Sequence, residues 1–288
     1  MPRNASAGRV YNAYTGGKDN FEADRALAEQ VVEIAPDAAD RAADLAGFSL
    51  AAAALIAGDV RQLVDIGAGT PGGIAAVGTG KPGGDAGAAG GEPAGDSVYR
   101  VARRVNPGIR LVAVDHDPVV LTHLLAEAGD RAVIEADVRD VAVLLRELDA
   151  VVDWSQPLGV MLCAVLHFVA DYEADGEGAH VIAEAILSRL VPGSLVAISH
   201  ACSTGADPDV ITEISTAYDQ HGLRLVWRDE EEIKDLFTSR VTLKPPPGAP
   251  AGGLGDPRLW RLSPQQLRQA PPVSSPVSLR AGIGIVTC

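Results

Sequence analysis

One short segment places a carboxylate beside two closely spaced glycines, a combination typical of a turn that binds a small ligand. It reads LVDIGAGT (63–70), an apolar run that carries Asp65 and then Gly67 and Gly69. Glycines in such a turn let a ligand approach bare backbone. Gly67, Gly69 and Gly72 also match the dinucleotide spacing G-x-G-x-x-G, which is weak evidence by itself. A carboxylate at Asp65 is unfavourable beside a pyrophosphate and suits a ligand with an ammonium or sulfonium group.

Two further acids follow later apolar runs. Asp115 follows LVAV (111–114), and Asp137 follows AVIEA (132–136). We expect Asp115 to accept hydrogen bonds from two ribose hydroxyls and Asp137 to lie near an adenine edge. Acids at the ends of three successive strands indicate a nucleoside that bears an amino-acid tail. The sequence therefore predicts S-adenosylmethionine as the cofactor.

His167 is the best candidate for a general base or a group that orients a substrate. It follows the apolar run GVMLCAVL (159–166), so it is expected at the carboxyl end of a strand, where ligands bind in parallel sheets. The alternative is a buried histidine bonded to main chain. No two of the six histidines have metal-ligand spacing, so no metal site is predicted.

These residues need strands and helices to position them. From residue 62 onward, short β-branched runs alternate with helical segments that open at Asp117-Pro118, Asp140 and Asp207-Pro208. This alternation predicts an α/β fold with a doubly wound, mostly parallel sheet. A last strand near 278–288 is expected beside 241–244.

The chain divides into two predicted parts. Residues 1–60 form an N-terminal arm with helices that cover the cofactor site: 1–20 is expected as an arm or loop, and a helix follows over 22–35 with Asn20 as its cap. Residues 61–288 form a Rossmann-like domain. The Gly-rich stretch 71–95 and the Pro-rich stretch 245–278 are predicted to be flexible loops.

The composition of the chain limits the classes of partner that the protein is expected to bind. The 288 residues carry a net charge of −14, so counterion release cannot drive binding to nucleic acid. The longest wholly apolar run, 50–57, is far shorter than a membrane span, and the three cysteines have no disulfide or metal spacing. We therefore expect a cytoplasmic protein with a small-molecule substrate and no nucleic-acid or membrane partner.

Several motifs in fixed order resemble an actinobacterial S-adenosylmethionine-dependent methyltransferase family formerly catalogued as DUF574. The motifs are RVYNAYTGGKDNFEADRALAEQ (9–30), DIGAG (65–69), VDHDPVVL (114–121), EADVRD (135–140), VLHFV (165–169) and PGSLVAISHA (192–201). The resemblance implies a class I fold with seven strands, the last of them antiparallel. It also implies methyl transfer to an O, N or S nucleophile of a small molecule.

The same resemblance implies roles for individual residues. Asp65, Gly67 and Gly69 would face the methionine part of the cofactor, and Asp115 would hold the ribose. The remaining residues implied to contact the cofactor are His116, Asp137 and Val138 at the adenine, Ala164 at the sulfonium, and Tyr14, Lys18 and Asn20 in the arm.

The sequence departs from the family pattern after Gly69, where Thr70-Pro71-Gly72-Gly73 replaces the usual Gly-Leu-Pro-Thr. Two alternatives therefore stay open at this point: a protein that binds S-adenosylmethionine without catalysis, and an NAD(P)-dependent oxidoreductase.

Overall fold

The computed structural model describes residues 4–71, 96–128, 133–171, 178–249, 251–260, 265 and 274–287. The helices are α1 (Ala7–Tyr14), α2 (Glu22–Ile34), α3 (Ala38–Asp59), α4 (Val98–Val105), α5 (Pro118–Ala128), α6 (Val141–Asp149), α7 (Ala179–Leu187), α8 (Pro208–Gln220) and α9 (Glu230–Asp235). The strands are β1 (Gln62–Ile66), β2 (Arg110–Asp115), β3 (Val133–Glu135), β4 (Gly159–Cys163), β5 (Leu195–Cys202), β6 (Val241–Leu243) and β7 (Ser278–Val286). Single 3₁₀ turns cover Leu166–Phe168 and Pro257–Trp260.

The strands form one seven-stranded sheet in the order β3-β2-β1-β4-β5-β7-β6. β1 to β5 pair in parallel, and β7 lies antiparallel between β5 and β6. The chain order reverses between β1 and β4, which leaves a crevice at the carboxyl ends of these strands. The predicted fold class, including the antiparallel last strand, is confirmed.

The two faces of the sheet carry separate cores. Along β1, Val64 and Ile66 belong to the core beneath α6 and α7, whereas Leu63 belongs to the core beneath α3, α4 and α5. This alternation is the two-residue period of a strand covered by helices on both faces. A third core joins α1 and α2 to α8.

α6 and α8 begin at predicted capping residues, and α9 begins at a further one. The side chains of Asp140, Asp207 and Asp229 accept hydrogen bonds from main-chain N–H groups in the first turns of α6, α8 and α9. α2 differs from the prediction, because Asn20 does not cap it. The buried carboxylate of Asp24 instead accepts the main-chain N–H of Phe21 at 2.8 Å.

The segment 1–20, predicted to be an arm or loop, contains a helix. α1 lies within it, because Val10 packs in the third core and Arg9 and Asn12 are buried. The long helix α3 has the length and hydropathy of a membrane span, but about half of that window is buried. Its Phe48 and Ile56 pack in the core beneath the sheet.

Of the first predicted flexible loop, nearly all (72–95) lies outside the described residues, whereas of the second only 250, 261–264 and 266–273 do. The described part of the second is packed. Trp260 contacts Phe48 edge-to-face with ring centroids 6.0 Å apart, and Gly255 forms a bridge with Ala281 of β7.

Phe48 tests this packing, because its side chain is fully buried between the sheet and Trp260. We expect Phe48→Ala to lower the free energy of unfolding by about 3–5 kcal/mol, since it removes a ring and leaves a cavity. The control is Val105→Ala on α4, where Val105 is 47% exposed, with an expected loss below about 0.5 kcal/mol. Urea unfolding measures both, and equal losses would contradict the packing described.

Candidate functional site

A cavity of about 500 Å³ opens at the carboxyl edge of the sheet. Its walls come from α1, α3, the turn after β1, the start of α4, the segments that follow β2, β3 and β4, and the turn after α8. Its volume lies within the range of small-ligand sites, and its position is where ligands bind in open parallel sheets.

The turn after β1 brings bare backbone to this cavity. Gly67 and Gly69 adopt positive φ angles of +72° and +63°, which suit glycine. A Cβ added at Gly67 would lie 2.5 Å from the Val165 side chain, whereas one at Gly69 would meet nothing within 4 Å. Glycine at 67 thus permits close packing against the end of β4, and glycine at 69 leaves open space for a ligand.

Asp115 ties this turn to the end of β2. Its Oδ1 accepts the main-chain N–H groups of His116 and Asp117 at 2.8 and 2.9 Å, and its Oδ2 accepts that of Gly69 at 3.0 Å. A carboxylate offers about four lone-pair sites, so this network leaves about one for a ligand hydroxyl. That differs from the predicted pair of ribose hydroxyls bound to Asp115.

Asp65 lies at the floor of the cavity and is only 4% exposed. Burial, reinforced by the nearby charge of Asp115, raises the pKa of Asp65 to about 7. The hydroxyl of Tyr99 donates to Asp65 Oδ2 at 3.5 Å. A buried carboxyl with one weak protein donor is poised to pair with a ligand cation, which would favour its ionised form.

The segment after β3 supplies another wall. Asp137 and Val138 line the cavity, as does His116, whose side chain is 61% exposed. Burial opposes ionisation of Asp137, but hydrogen bonds from Arg139, the shortest at 2.6 Å, outweigh it and lower its pKa. Asp137 is therefore ionised at neutral pH and already held by Arg139.

The end of β4 has an unusual backbone. Ala164 lines the cavity and has a φ of +54°, a region that residues with a Cβ rarely adopt. Its N–H is held by the main-chain and side-chain oxygens of Ser199, each at 3.1 Å. This fixed turn places Val165 against Gly67 and leaves Ala164 at the cavity wall.

The arm is fastened over this edge by a buried arginine. Arg9 of α1 pairs with Asp24 of α2 and with Asp117 at the start of α5, and all three side chains are at most 5% exposed. Asn12 of α1 donates to Thr70 Oγ1 at 3.0 Å, so the residue that departs from the family pattern after Gly69 is bound to the arm. α1 is therefore one wall of the cavity.

The structure does not bring every predicted residue to the cavity. Tyr14 faces Tyr218 in the third core, Lys18 is exposed, and Asn20 donates to Asn12 Oδ1 and the carbonyl of Gly17. None of these three lines the cavity. Their positions follow from the turn of α1, which directs Tyr11 and Asn12 inward instead. Sequence reasoning missed both, although they lie in the same quoted motif.

His167 is also outside the cavity lining. It is fully buried, its Nδ1 accepts the main-chain N–H of Ala201 at 3.3 Å, and its Nε2 lies 3.4 Å from the Tyr11 hydroxyl. Burial, together with the neighbouring His200 and Arg228, lowers its pKa well below the usual value. A histidine with so low a pKa is a weak general base at neutral pH.

A metal would need a cluster of suitable ligands. In the ranges that the structure describes, no group of three His, Cys, Asp or Glu side chains is arranged to hold one.

The sheet order with an antiparallel β7, together with acids at the ends of β1, β2 and β3 around one cavity, defines a class I S-adenosylmethionine-dependent methyltransferase. The family model for S-adenosyl methyltransferases matches residues 2–74 and 85–283, so the chain belongs to this family. Its methyl donor is S-adenosylmethionine. The family match favours methyl transfer over the non-catalytic and oxidoreductase alternatives.

Two solved structures are similar over nearly their whole length. A candidate methyltransferase from Thermobifida fusca is 29% identical, with 99% of this chain and 96% of that chain covered and a TM-score of 0.76. A DUF574 family protein from Streptomyces avermitilis is 24% identical, with 98% of each chain covered and a TM-score of 0.78. No protein of curated function matches this sequence significantly.

The two glycines of the turn should respond differently to a methyl group. We expect Gly69→Ala to lower the free energy of unfolding by about 1 kcal/mol, the cost of a positive φ alone. Gly67→Ala should cost clearly more, because the added Cβ also meets Val165. Urea denaturation of the two variants measures the difference, and a larger loss for Gly69→Ala would contradict the geometry.

The raised pKa of Asp65 makes it a destabilising group in the free protein. Below pH 4 the carboxyl is protonated in both folded and unfolded chains; between pH 4 and 7 only the unfolded chain ionises, and the folded state loses stability. Relative to Asp65→Asn, the wild type should therefore become less stable from pH 4 to 7, by roughly 2–4 kcal/mol in total, with no further change above pH 7. Denaturation at several pH values measures this, and a pH-independent difference would contradict it.

Proposed function

We propose that this protein transfers the methyl group of S-adenosylmethionine to an oxygen, nitrogen or sulfur nucleophile of a small molecule. One observation carries the proposal: the buried carboxyl of Asp65, the bare turn at Gly67 and Gly69, and Asp115 all line one small-ligand cavity. A cavity of this volume, lined by both apolar and polar residues, suits a small-molecule methyl acceptor. The net charge of −14 disfavours a nucleic-acid acceptor.

The residues present fit the methyl donor part by part. Asp65 would pair with the ammonium of the methionine part, above the open space at Gly69. Asp115 would accept one ribose hydroxyl through its remaining lone pair. His116, Asp137 and Val138 would border the adenine, and Ala164 would lie beside the sulfonium. Tyr14, Lys18 and Asn20 would support the arm from outside the cavity, with Asn20 acting through Asn12.

The chemistry requires alignment more than acid–base help. The acceptor's lone pair forms a bond to the methyl carbon while the methyl–sulfur bond breaks and its electron pair stays on sulfur. The sulfonium is already a good leaving group, so the chain mainly aligns the two reactants and excludes water. α1, fastened by Arg9, contributes the wall that excludes water. His167 would act by fixing the Tyr11 hydroxyl rather than as a base.

We propose the same division of the chain as the sequence suggested, with 1–60 covering the site built by 61–288. α1 and α3 both line the cavity, which supports this division. A cytoplasmic location is supported by Cys163 and Cys202, which are buried free thiols. An actinobacterial source is supported by the relatives from Thermobifida and Streptomyces.

Loss of the Asp115 carboxylate tests the assignment of the donor site. We expect Asp115→Asn to weaken binding of S-adenosylhomocysteine about tenfold or more, because the amide loses charge-assisted bonds to the turn and to a ribose hydroxyl. Titration calorimetry measures binding. Release of S-adenosylhomocysteine from S-adenosylmethionine in an acceptor screen measures turnover.

The matched control is Asp149→Asn, at the exposed end of α6 away from the cavity, which should bind as the wild type does. Wild-type protein that binds NADH and not S-adenosylhomocysteine would overturn the proposed function.

A further inference from the structure

The cavity continues beyond the strand ends that would hold the methyl donor. We call this second part the acceptor end and define it by 4–8 and Tyr11 of the arm, Leu45, Ala46, Ser49 and Leu50 of α3, Phe168 with Val169, and Gly222–Arg224 after α8. Ala164, where the sulfonium would be, packs against the same hydrophobic core as Tyr11 and Phe168. A methyl acceptor therefore has to occupy the acceptor end.

The wall of the acceptor end is mostly apolar and contains two aromatic rings. The whole chain has only 3 Trp, 5 Tyr and 4 Phe residues. Two of them, Tyr11 and Phe168, line the cavity and meet edge-to-face with ring centroids 6.5 Å apart. Behind them, Tyr14 lies 6.1 Å from Tyr11 and Tyr218 lies 6.0 Å from Phe168 between ring centroids. A third aromatic ring can stack on one of these two rings and meet the other edge-on, so the pair favours a planar ring as occupant.

Hydrogen bonding fixes how Tyr11 can act at this wall. The main-chain N–H of Ala201 donates to Nδ1 of His167, so the proton of the neutral imidazole is on Nε2. That N–H points to the Tyr11 hydroxyl oxygen at 3.4 Å. No acceptor for the hydroxyl proton of Tyr11 lies among the described residues, so the contact with His167 fixes the position of the Tyr11 ring.

The charge at the acceptor end has one source. The carboxylates that line the cavity, Asp65, Asp96, Asp115 and Asp137, come from the ends of β1, β2 and β3 and the start of α4, outside the residues that define the acceptor end. Among the described residues that define the acceptor end, only Arg224 is charged. It is exposed, and the described part of the chain contains no ion-pair partner for it. A free arginine beside an aromatic wall, in a chain this acidic, favours an anionic group on the ligand.

We propose that the acceptor end binds a planar aromatic methyl acceptor that carries a carboxylate, with its ring against Tyr11 and Phe168 and its carboxylate on Arg224. The proposal rests on the proposed function and names its substrate class. The methyl group goes to a ring-bound oxygen or nitrogen, whose lone pair displaces the sulfur. Any proton that the acceptor loses goes to water, because the acceptor end offers no ordinary base among its described residues.

The test uses the full-length protein in two steps. Calorimetry first measures S-adenosylhomocysteine alone. With that ligand saturating, three probes are then titrated: 2-naphthoate, its neutral amide 2-naphthamide, and cyclohexanecarboxylate, which keeps the charge and lacks the aromatic ring. We expect 2-naphthoate to bind most tightly of the three.

Two variants test separately how the aromatic ring and the carboxylate of the probe contribute to its affinity. Arg224→Gln should weaken 2-naphthoate about three- to tenfold, as befits an exposed ion pair, and leave 2-naphthamide unchanged. Phe168→Leu should weaken both naphthyl probes and leave cyclohexanecarboxylate unchanged. The matched control is Arg61→Gln: Arg61 is exposed and precedes β1, at the opposite edge of the sheet, so this variant should bind all probes as the wild type does.

The two titrations distinguish a failure of the proposed function from a failure of this inference alone. No binding of S-adenosylhomocysteine would overturn the proposed function and this inference with it. Normal binding of S-adenosylhomocysteine would overturn this inference alone if 2-naphthoate then fails to bind, or if it binds equally well to Arg224→Gln.

Discussion

The hydrogen bonds around Asp115 are the interaction on which the site depends. This carboxylate gathers three main-chain N–H groups, from Gly69 after β1 and from His116 and Asp117 after β2. It thereby fixes the relative positions of the two strand ends where the chain order of the sheet allows a crevice. The same group is buried and lines the cavity, so it is available to accept a hydrogen bond from a ligand there. One side chain therefore both stabilises the fold at these strand ends and offers a hydrogen-bond acceptor to the ligand.

A second constraint closes the site from the arm. Arg9 is buried between Asp24 and Asp117, so the charge of α1 is neutralised partly by the segment that follows Asp115. Removing one partner of such a buried network leaves an uncompensated charge, which is strongly destabilising. The arm is thus part of the folded site, and its Asn12 and Tyr11 line the cavity beside the glycine turn. The two halves of the chain build one cavity together.

The fold class and the acids at the strand ends could be predicted from the sequence, because strand periodicity and capping residues are local signals. LVDI, LVAV and AVIEA place Asp65, Asp115 and Asp137 without knowledge of packing. Which residues of the arm face the cavity could not be predicted from such local signals. Which of Tyr11, Asn12, Tyr14 and Asn20 faces the cavity depends on the helical turn of α1 and on Arg9 pairing across more than a hundred residues. The buried state of His167 likewise depends on β5 and Tyr11, which no local pattern reveals.

The central claim is that Asp65 meets the cation of a methyl donor, and proton release on binding tests it most directly. Because the pKa of Asp65 is about 7 in the free protein, an incoming ammonium should drive its proton off. The measurement is calorimetry with S-adenosylhomocysteine at pH 6 in two buffers of different ionisation enthalpy. The account predicts release of nearly one proton, which disappears in Asp65→Asn and shrinks in the wild type at pH 8. Binding without proton release at pH 6, or no binding, would contradict it.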